Sequence, residues 1–251
     1  MRVDDQPRAT AWRSGVVVRL ALCAGLALHP GSVVQANPES SDVPPRVEVV
    51  GAVMHPGSVA LTSARMSADQ VLAQAGGTGA DAYRFANLLL RRVAETAPRF
   101  PCVAPGARHA ALLMADDPAL RDQAELIAGL LDGRIQRLTL HDRPFGRLGS
   151  DRAAAMLRAD DILAVPRRSR RIYLVYADGA TESLEHRAEL TAKDYLDQAP
   201  QKRLAKRGEY VLHYPDGNAV GLALEAWNAE PTVVPPGSML APVAGCLPAP
   251  G

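Results

Sequence analysis

The sequence has almost no excess of charge of either sign. Its 251 residues contain 28 lysines and arginines against 27 aspartates and glutamates, a formal net charge of +1 at pH 7. A domain that binds nucleic acid or a membrane surface through its overall charge carries a clear basic excess. No nucleic-acid partner is therefore expected. Because 47% of the residues are hydrophobic, the chain can bury a sizeable core in one or two domains.

Long hydrophobic runs are also missing. The apolar run at residues 20–28 lies between Arg19 and Pro30, which leaves far fewer than the roughly 20 apolar residues of a transmembrane helix. We therefore expect no stable membrane span. An arginine-bearing start, this short apolar run and the sequence VQA before Asn37 are typical of a secretory signal peptide. Residues 1–36 are predicted to be that peptide, cleaved after Ala36.

Cysteine is scarce. Of three cysteines, Cys23 lies in the predicted signal peptide, and Cys102 and Cys246 remain in the mature chain. In an oxidising compartment two isolated thiols can form a disulfide. The alternative is two buried small hydrophobic side chains. The sequence leaves both interpretations open.

The usual motifs of catalytic and cofactor sites are missing too. There is no Gly-Lys-Ser/Thr phosphate loop, no Gly-x-Ser-x-Gly nucleophile turn and no His-x-His or His-Glu-x-x-His metal spacing. No cofactor, metal or catalytic residue is therefore expected. GTGADA at residues 77–82 fits G-x-G-x-x-A, but it follows a predicted helix, so its glycines are predicted to end that helix.

Two pairs of adjacent carboxylates could serve a hydrolase, Asp116-Asp117 and Asp160-Asp161. Their positions at helix starts and turns favour structural hydrogen bonds instead. Aromatic residues make up only 4% of the chain, although sugar sites often use exposed aromatic faces. Four tyrosines on predicted strands of the second half are expected in its core or at its edge: Tyr173, Tyr176, Tyr210 and Tyr214.

What the sequence does contain is an internal repeat at an offset of 124 residues. MSADQVLAQAGG at residues 66–77 and LTAKDYLDQAP at residues 190–200 share their hydrophobic, Ser/Thr and Gln positions. Each predicts a short helix, N-capped by Ser67 or Thr191, and Gln70 completes a capping box in the first copy.

The same elements surround each copy. A hairpin precedes each helix, at residues 47–61 with a Pro-Gly turn and at residues 171–186 with an Asp-Gly turn. A strand candidate follows each helix, at residues 87–93 and 208–220. The repeated unit is therefore a hairpin, a helix and a strand or second hairpin.

The segment between the two copies has a helical pattern. Asp117 and Pro118 mark a helix start and Gly133 a helix end, and a shorter helix precedes them. Residues 107–132 are therefore predicted to be a helical hairpin. Residues 133–140 and 157–166 are strand-like, and the second of these is expected to complete the first sheet.

These elements resemble a known family. The run VEVVGAVMHPGSVAL, the helix ending in AGG and the strand LLLRR resemble the soluble-ligand-binding β-grasp (SLBB) domain, whose run is V-x-G-x-V-x-x-P-G. The order of the parts, with a helical hairpin and a closing PPGSMLAPV, resembles the GfcC-like capsule biosynthesis family over about residues 46–243.

The resemblance implies an α+β fold of two β-grasp (ubiquitin-like) units with an inserted helical hairpin. The first unit would span residues 46–166, with its insertion at about 107–132. The second, degenerate unit would span 170–222, and a C-terminal tail 223–251. The resemblance also implies a periplasmic, non-enzymatic accessory protein of capsular or exopolysaccharide biosynthesis and export. Its partners would be the outer-membrane export machinery, the polysaccharide, or both.

An acidic polymer would be bound by guanidinium groups, which match carboxylates in geometry and charge. The basic face around the LLLRR strand is the predicted binding region, with four candidate residues: Arg91, Arg92, Arg65 and Arg134. A solvated strand face is the alternative for each of them. PRRSRR, at residues 166–171, is also basic and is interpreted as an exposed linker.

Two other functions stay open at this point. One is a periplasmic enzyme that modifies polysaccharide, and the other is a structural spacer that docks its edge strands onto a partner's sheet.

Overall fold

The computed structural model describes residues 44–63, 66–94, 102–140, 157–206, 209–224, 231–243 and 247. All of them belong to one unit of the chain, Val43–Gly251. The predicted signal peptide, Arg65 and Cys246 lie outside the described residues. Within these residues the protein is α+β, with two five-stranded mixed sheets and four helices. No helix in this described part is long and apolar enough to cross a membrane.

The first sheet has the strand order β2-β1-β5-β3-β4, and its central pair, β1 and β5, is parallel. Alternation along β1 buries Val47 and Val49 while Arg46 and Glu48 stay exposed. The predicted hairpin, the strand that follows the first predicted helix and the return of residues 157–166 to this sheet are confirmed. Its strands are β1 (Arg46–Gly51), β2 (Gly57–Ala60), β3 (Leu88–Arg92), β4 (Ile135–Leu138) and β5 (Ile162–Val165).

The second sheet repeats this order as β7-β6-β10-β8-β9, again with a parallel central pair, β6 and β10. Its hairpins turn at the two predicted Asp-Gly pairs, and Gly179 and Gly217 have positive φ there. Its central strand β10 comes from the segment predicted as a C-terminal tail, so the sheet extends beyond residue 222. Its strands are β6 (Arg171–Val175), β7 (Thr181–Glu185), β8 (Tyr210–His213), β9 (Ala219–Gly221) and β10 (Met239–Pro242).

Each sheet has its own short helix, α1 (Ala68–Gln74) and α4 (Ala192–Gln198). Ser67 and Thr191 cap these helices as predicted, and both make complete capping boxes. At the end of α1 the Gly76 amide donates to the Ala73 carbonyl, and the next amide donates to the Leu72 carbonyl. This pattern, with positive φ at both glycines, is a Schellman motif. The glycines of the AGG run therefore end the helix.

The helical insertion between β3 and β4 consists of α2 (Pro105–Asp116) and α3 (Ala124–Leu131). The predicted helix start at Asp117 is wrong, because residues 118–122 form turns. The Asp117 carboxylate accepts a hydrogen bond from the Ala119 amide at 2.7 Å and another from the Arg167 amide at 2.5 Å. Asp117 therefore caps a turn and ties the end of α2 to the linker between the sheets.

Three hydrophobic clusters form the core. One lies between the first sheet and α1, and another between the second sheet and α4. The middle cluster combines α2 and α3 with one face of each sheet. The insertion therefore shares its core with both sheets, and β5 is buried along its whole length. Three of the four tyrosines predicted for the core or edge of the second half are buried, Tyr173, Tyr176 and Tyr210.

Cys102 is disulfide-bonded. Its neighbour Val103 pairs with Leu247, through amide-to-carbonyl hydrogen bonds of 2.9 and 2.8 Å. Leu247 directly follows Cys246 in the sequence, but Cys246 lies outside the described residues. The pairing of these two cysteines stays a prediction.

Candidate functional site

Arg91, the first of the predicted binding arginines, lies near the end of β3 and forms an ion pair with Asp161. Its Nε atom lies 2.7 Å from Oδ1 of Asp161, and its Nη2 atom lies 2.8 Å from Oδ2. The Asp161 side chain is 1% exposed and that of Arg91 is 18% exposed. This hydrogen bond to Asp161 raises the pKa of Arg91. Arg91 therefore neutralises a buried carboxylate.

The other predicted arginines have different surroundings. Arg92 is exposed, whereas Arg134 directs its Nε onto Oδ2 of Asp132 at 2.7 Å. Arg65 lies outside the described residues. Arg92 and Arg158 border a cavity of about 360 Å³, whose lining holds three arginines and two aspartates. The charge of this cavity is nearly balanced, so it offers little attraction to an anionic ligand.

Three of the four adjacent carboxylates make structural hydrogen bonds or ion pairs, although Asp117 does so in a turn and not at a helix start. Asp161 also accepts a hydrogen bond from the Arg158 amide at 2.8 Å, and Asp117 accepts from two amides as described above. Asp116 lies 3.5 Å from the Arg171 guanidinium. These three carboxylates are committed to backbone amides or arginines.

A larger cleft, of about 1120 Å³, opens where loops of the two sheets meet, and we call it the inter-sheet cleft. Residues 80–85, between α1 and β3, line it from the first sheet. The linker at 167–170 continues the lining, and residues 233–236 and the end of β7 complete it from the second sheet. The cleft therefore collects residues from four separate stretches of the chain.

Backbone hydrogen bonds fix both sides of the inter-sheet cleft to the linker. The Tyr83 amide donates to the Pro166 carbonyl at 2.7 Å, and the Arg168 amide donates to the Asp81 carbonyl at 3.2 Å. On the other side the His186 amide donates to the Arg170 carbonyl at 2.8 Å. Because these bonds join the cleft's loops to one short segment, the lining residues are held in place relative to one another.

An aromatic pair lies in the lining. The rings of Tyr83 and Phe85 meet edge to face, with centroids 6.3 Å apart and planes at 80°. The guanidinium of Arg168 lies 6.0 Å from the Tyr83 ring centroid. Burial raises the pKa of the Tyr83 hydroxyl, whereas Phe85 is 50% exposed. The pair therefore has a partly buried inner ring, Tyr83, and a half-exposed outer ring, Phe85.

The lining is also basic. It contains four arginines and two carboxylates, Asp81 and Glu185. Arg167 is paired with Asp81, at 2.8 Å between Nε and Oδ2. The three remaining arginines of the lining, Arg84, Arg168 and Arg170, are exposed and form no ion pair within the part of the chain that the structure describes.

Sequence reasoning identified the basic PRRSRR segment but missed its partner, the Tyr83-Arg84-Phe85 stretch. The available signal was the alternation of aromatic and basic residues directly after a glycine-rich helix end. The joining of Tyr83 to Pro166 could not be read from local pattern, because it depends on the pairing of distant strands.

Comparison with models of known protein families gives no match, and no curated protein matches the chain significantly. Within the described residues no group of three or more histidine, cysteine, aspartate or glutamate side chains could hold a metal ion.

Proposed function

We propose that this protein is a periplasmic, non-enzymatic accessory protein of capsular or exopolysaccharide export, related to the SLBB and GfcC-like proteins that its motifs resemble. The signal-peptide pattern of residues 1–36 supports export. The resemblance over residues 46–243 supports the pathway. In this proposal the polysaccharide itself binds in the inter-sheet cleft.

Each sheet with its own helix is, in this proposal, a β-grasp unit. Counted within each unit, both sheets have the order 2-1-5-3-4, with the first and last strands parallel at the centre. In both, the helix follows the first hairpin. This repetition supports a duplicated unit, of which the first received α2 and α3 between its third and fourth strands.

The aromatic pair with its half-exposed Phe85 ring is the observation that carries the proposal. An aromatic face stacks on the apolar face of a sugar ring, and such contacts need a ring that is held in place but open to solvent. Phe85 is 50% exposed and its edge-to-face contact with Tyr83 supports it. The volume of the cleft, about 1120 Å³, is large enough for several sugar units of a chain.

The cleft supports binding better than cleavage of a glycan. A glycosidase uses two carboxyl groups on either side of the scissile bond. Asp81 is paired with Arg167, which leaves Glu185 as the other carboxylate in the lining. Among the described residues, the lining thus offers one carboxylate outside this ion pair, which favours binding over cleavage.

The test is deletion of the coding region in the native host, with quantification of polysaccharide at the cell surface and in the periplasm. Complementation uses the wild-type gene, Phe85→Ala and a control. Val220→Ala is the matched control, because it also truncates an exposed apolar side chain, 40% exposed, outside the cleft. We expect the deletion to reduce surface polymer and retain precursor, Phe85→Ala to restore export poorly, and Val220→Ala to restore it fully.

Two results would contradict the proposal. Unchanged amount and location of the polymer, with altered chain length or modification, would favour the enzyme. Full restoration of export by Phe85→Ala would show that the aromatic pair does not bind the polysaccharide. The role of the protein in export would still stand.

A further inference from the structure

We infer that the inter-sheet cleft binds an acidic polysaccharide and recognises its carboxylate groups through Arg84, Arg168 and Arg170. This inference rests on the proposed function, and it adds the chemical class of the polymer. It is carried by the charges of the cleft, which are a separate observation from the exposed aromatic ring.

The charge of the cleft differs from that of the molecule. The chain as a whole is almost neutral, at +1, yet four arginines and two carboxylates line this one cleft. One arginine and one carboxylate neutralise each other in the Arg167–Asp81 pair. Three exposed arginines then face a single carboxylate, Glu185, so the cleft attracts anions.

The placement of the three arginines suits an extended ligand. Arg168 and Arg170 are alternate residues of the linker, and both are exposed. Ser169 between them is partly buried, and its hydroxyl accepts a hydrogen bond from the Arg171 amide at 3.0 Å. Arg84 comes from the opposite stretch, where its Nε donates to the Thr78 hydroxyl at 3.1 Å. Cations therefore border the aromatic pair from two sides.

The combination favours an acidic glycan over the other candidate ligands. A neutral glycan would use the aromatic ring but would gain nothing from the three guanidinium groups, which match carboxylates. An acidic peptide recognised by an arginine cluster has no sugar face to stack on the half-exposed Phe85 ring, and a peptide that binds as an added strand needs a free sheet edge. The cleft is lined mainly by loops and the linker, and only the end of β7 reaches it.

The experiment measures binding of three probes to the full-length chain by isothermal titration calorimetry. The probes are polygalacturonate, the same polymer after reduction of its carboxyl groups, and poly-glutamate. We expect polygalacturonate to bind at least about tenfold more tightly than either of the others, and its affinity to fall as salt is added, since exposed charges are screened.

Variants locate the binding. Arg168→Gln and Arg170→Gln should each weaken polygalacturonate binding about threefold to tenfold, and the double variant more than tenfold. Arg121→Gln/Lys202→Gln is the matched control, because it removes the same charge at two exposed positions outside the cleft. We expect this control to change the affinity less than twofold.

Each remaining outcome overturns the inference in a distinct way. Equal binding of the reduced polymer would assign the cleft to neutral sugars, and equal binding of poly-glutamate would assign it to acidic peptides. An unchanged affinity in the double variant would show that Arg168 and Arg170 do not contact the polymer. No binding of polygalacturonate, combined with lost export in the deletion strain, would overturn the acidic ligand and leave the proposed function standing.

Discussion

At the scale of single residues, Arg91 and Arg92 show how neighbouring positions on one strand acquire different roles. Successive side chains of a strand point to opposite faces. Arg91 reaches Asp161, which is 1% exposed, and Arg92 faces solvent. The sequence pattern LLLRR predicts a basic strand end, but it cannot show which arginine has a buried carboxylate beside it.

Substitution of Arg91 should therefore affect stability. We expect Arg91→Gln to lower the free energy of unfolding by about 3 kcal/mol, because it leaves a buried carboxylate without its cation. Arg92→Gln should change it by less than about 0.5 kcal/mol, since that side chain is exposed. Urea unfolding of both variants at pH 7 checks this. Equal stability of the two would show that the ion pair contributes little.

Gly51 has a comparable structural role at the end of β1. Its φ is +93°, and a Cβ atom there would lie 2.2 Å from the Val165 carbonyl oxygen of β5. Gly51→Ala should cost more than about 2 kcal/mol, because the backbone conformation and the close approach both oppose a side chain. Gly221 is the last residue of β9, and a Cβ atom there would meet no neighbouring atom. Gly221→Ala should therefore leave the free energy of unfolding nearly unchanged. Thermal unfolding of the two variants compares them directly.

At the scale of elements, local signals in the sequence were sufficient to predict the positions of most helices and hairpins. Ser67, Thr191 and the AGG run act within a few residues of their own position, and the structure has α1 and α4 where they predict them. The prediction that a helix starts at Asp117 was wrong for a physical reason. Its carboxylate binds the Arg167 amide, and no pattern near residue 117 reveals a partner so far along the chain.

The central strand of the second sheet shows the same limit. β10 follows a Pro- and Gly-rich stretch that is typical of a loop. It becomes a strand because β6 and β8 hold it on both sides, and its Met239, Leu240 and Ala241 are fully buried. The inter-sheet cleft was missed for the same cause, since its lining joins stretches that only the assembled sheets bring together.

At the scale of the whole molecule, buried polar side chains connect the helical insertion to the second sheet through hydrogen bonds and ring contacts. His109 on α2 is fully buried, and its Nε2 lies 2.7 Å from the Gly237 carbonyl oxygen. Its Nδ1 lies 3.3 Å from Nη1 of Arg137 on β4. His213 on β8 stacks edge to face with it, at 6.3 Å between centroids. Protonation of either histidine would place a second cation beside Arg137.

Both histidines should therefore make the fold sensitive to acid. Burial, with Arg137 nearby, lowers the pKa of His109 well below its usual value and that of His213 to about 4. The unfolded chain binds protons near pH 6.5, where the folded chain does not. The contribution of neutral histidines to stability is thus complete above pH 6.5 and is lost as the pH falls toward 4, by up to about 1.4 kcal/mol per pH unit for each.

Urea unfolding at several pH values between 7 and 5 measures this loss. His213→Gln removes one of the two proton-binding groups, so its stability should decline less steeply with pH than that of the wild type. His55→Gln is the control, because this histidine is exposed in the loop after β1, and its slope should match the wild type. A wild-type slope unaffected by His213→Gln would show that other groups control the acid sensitivity of the joint between the insertion and the second sheet.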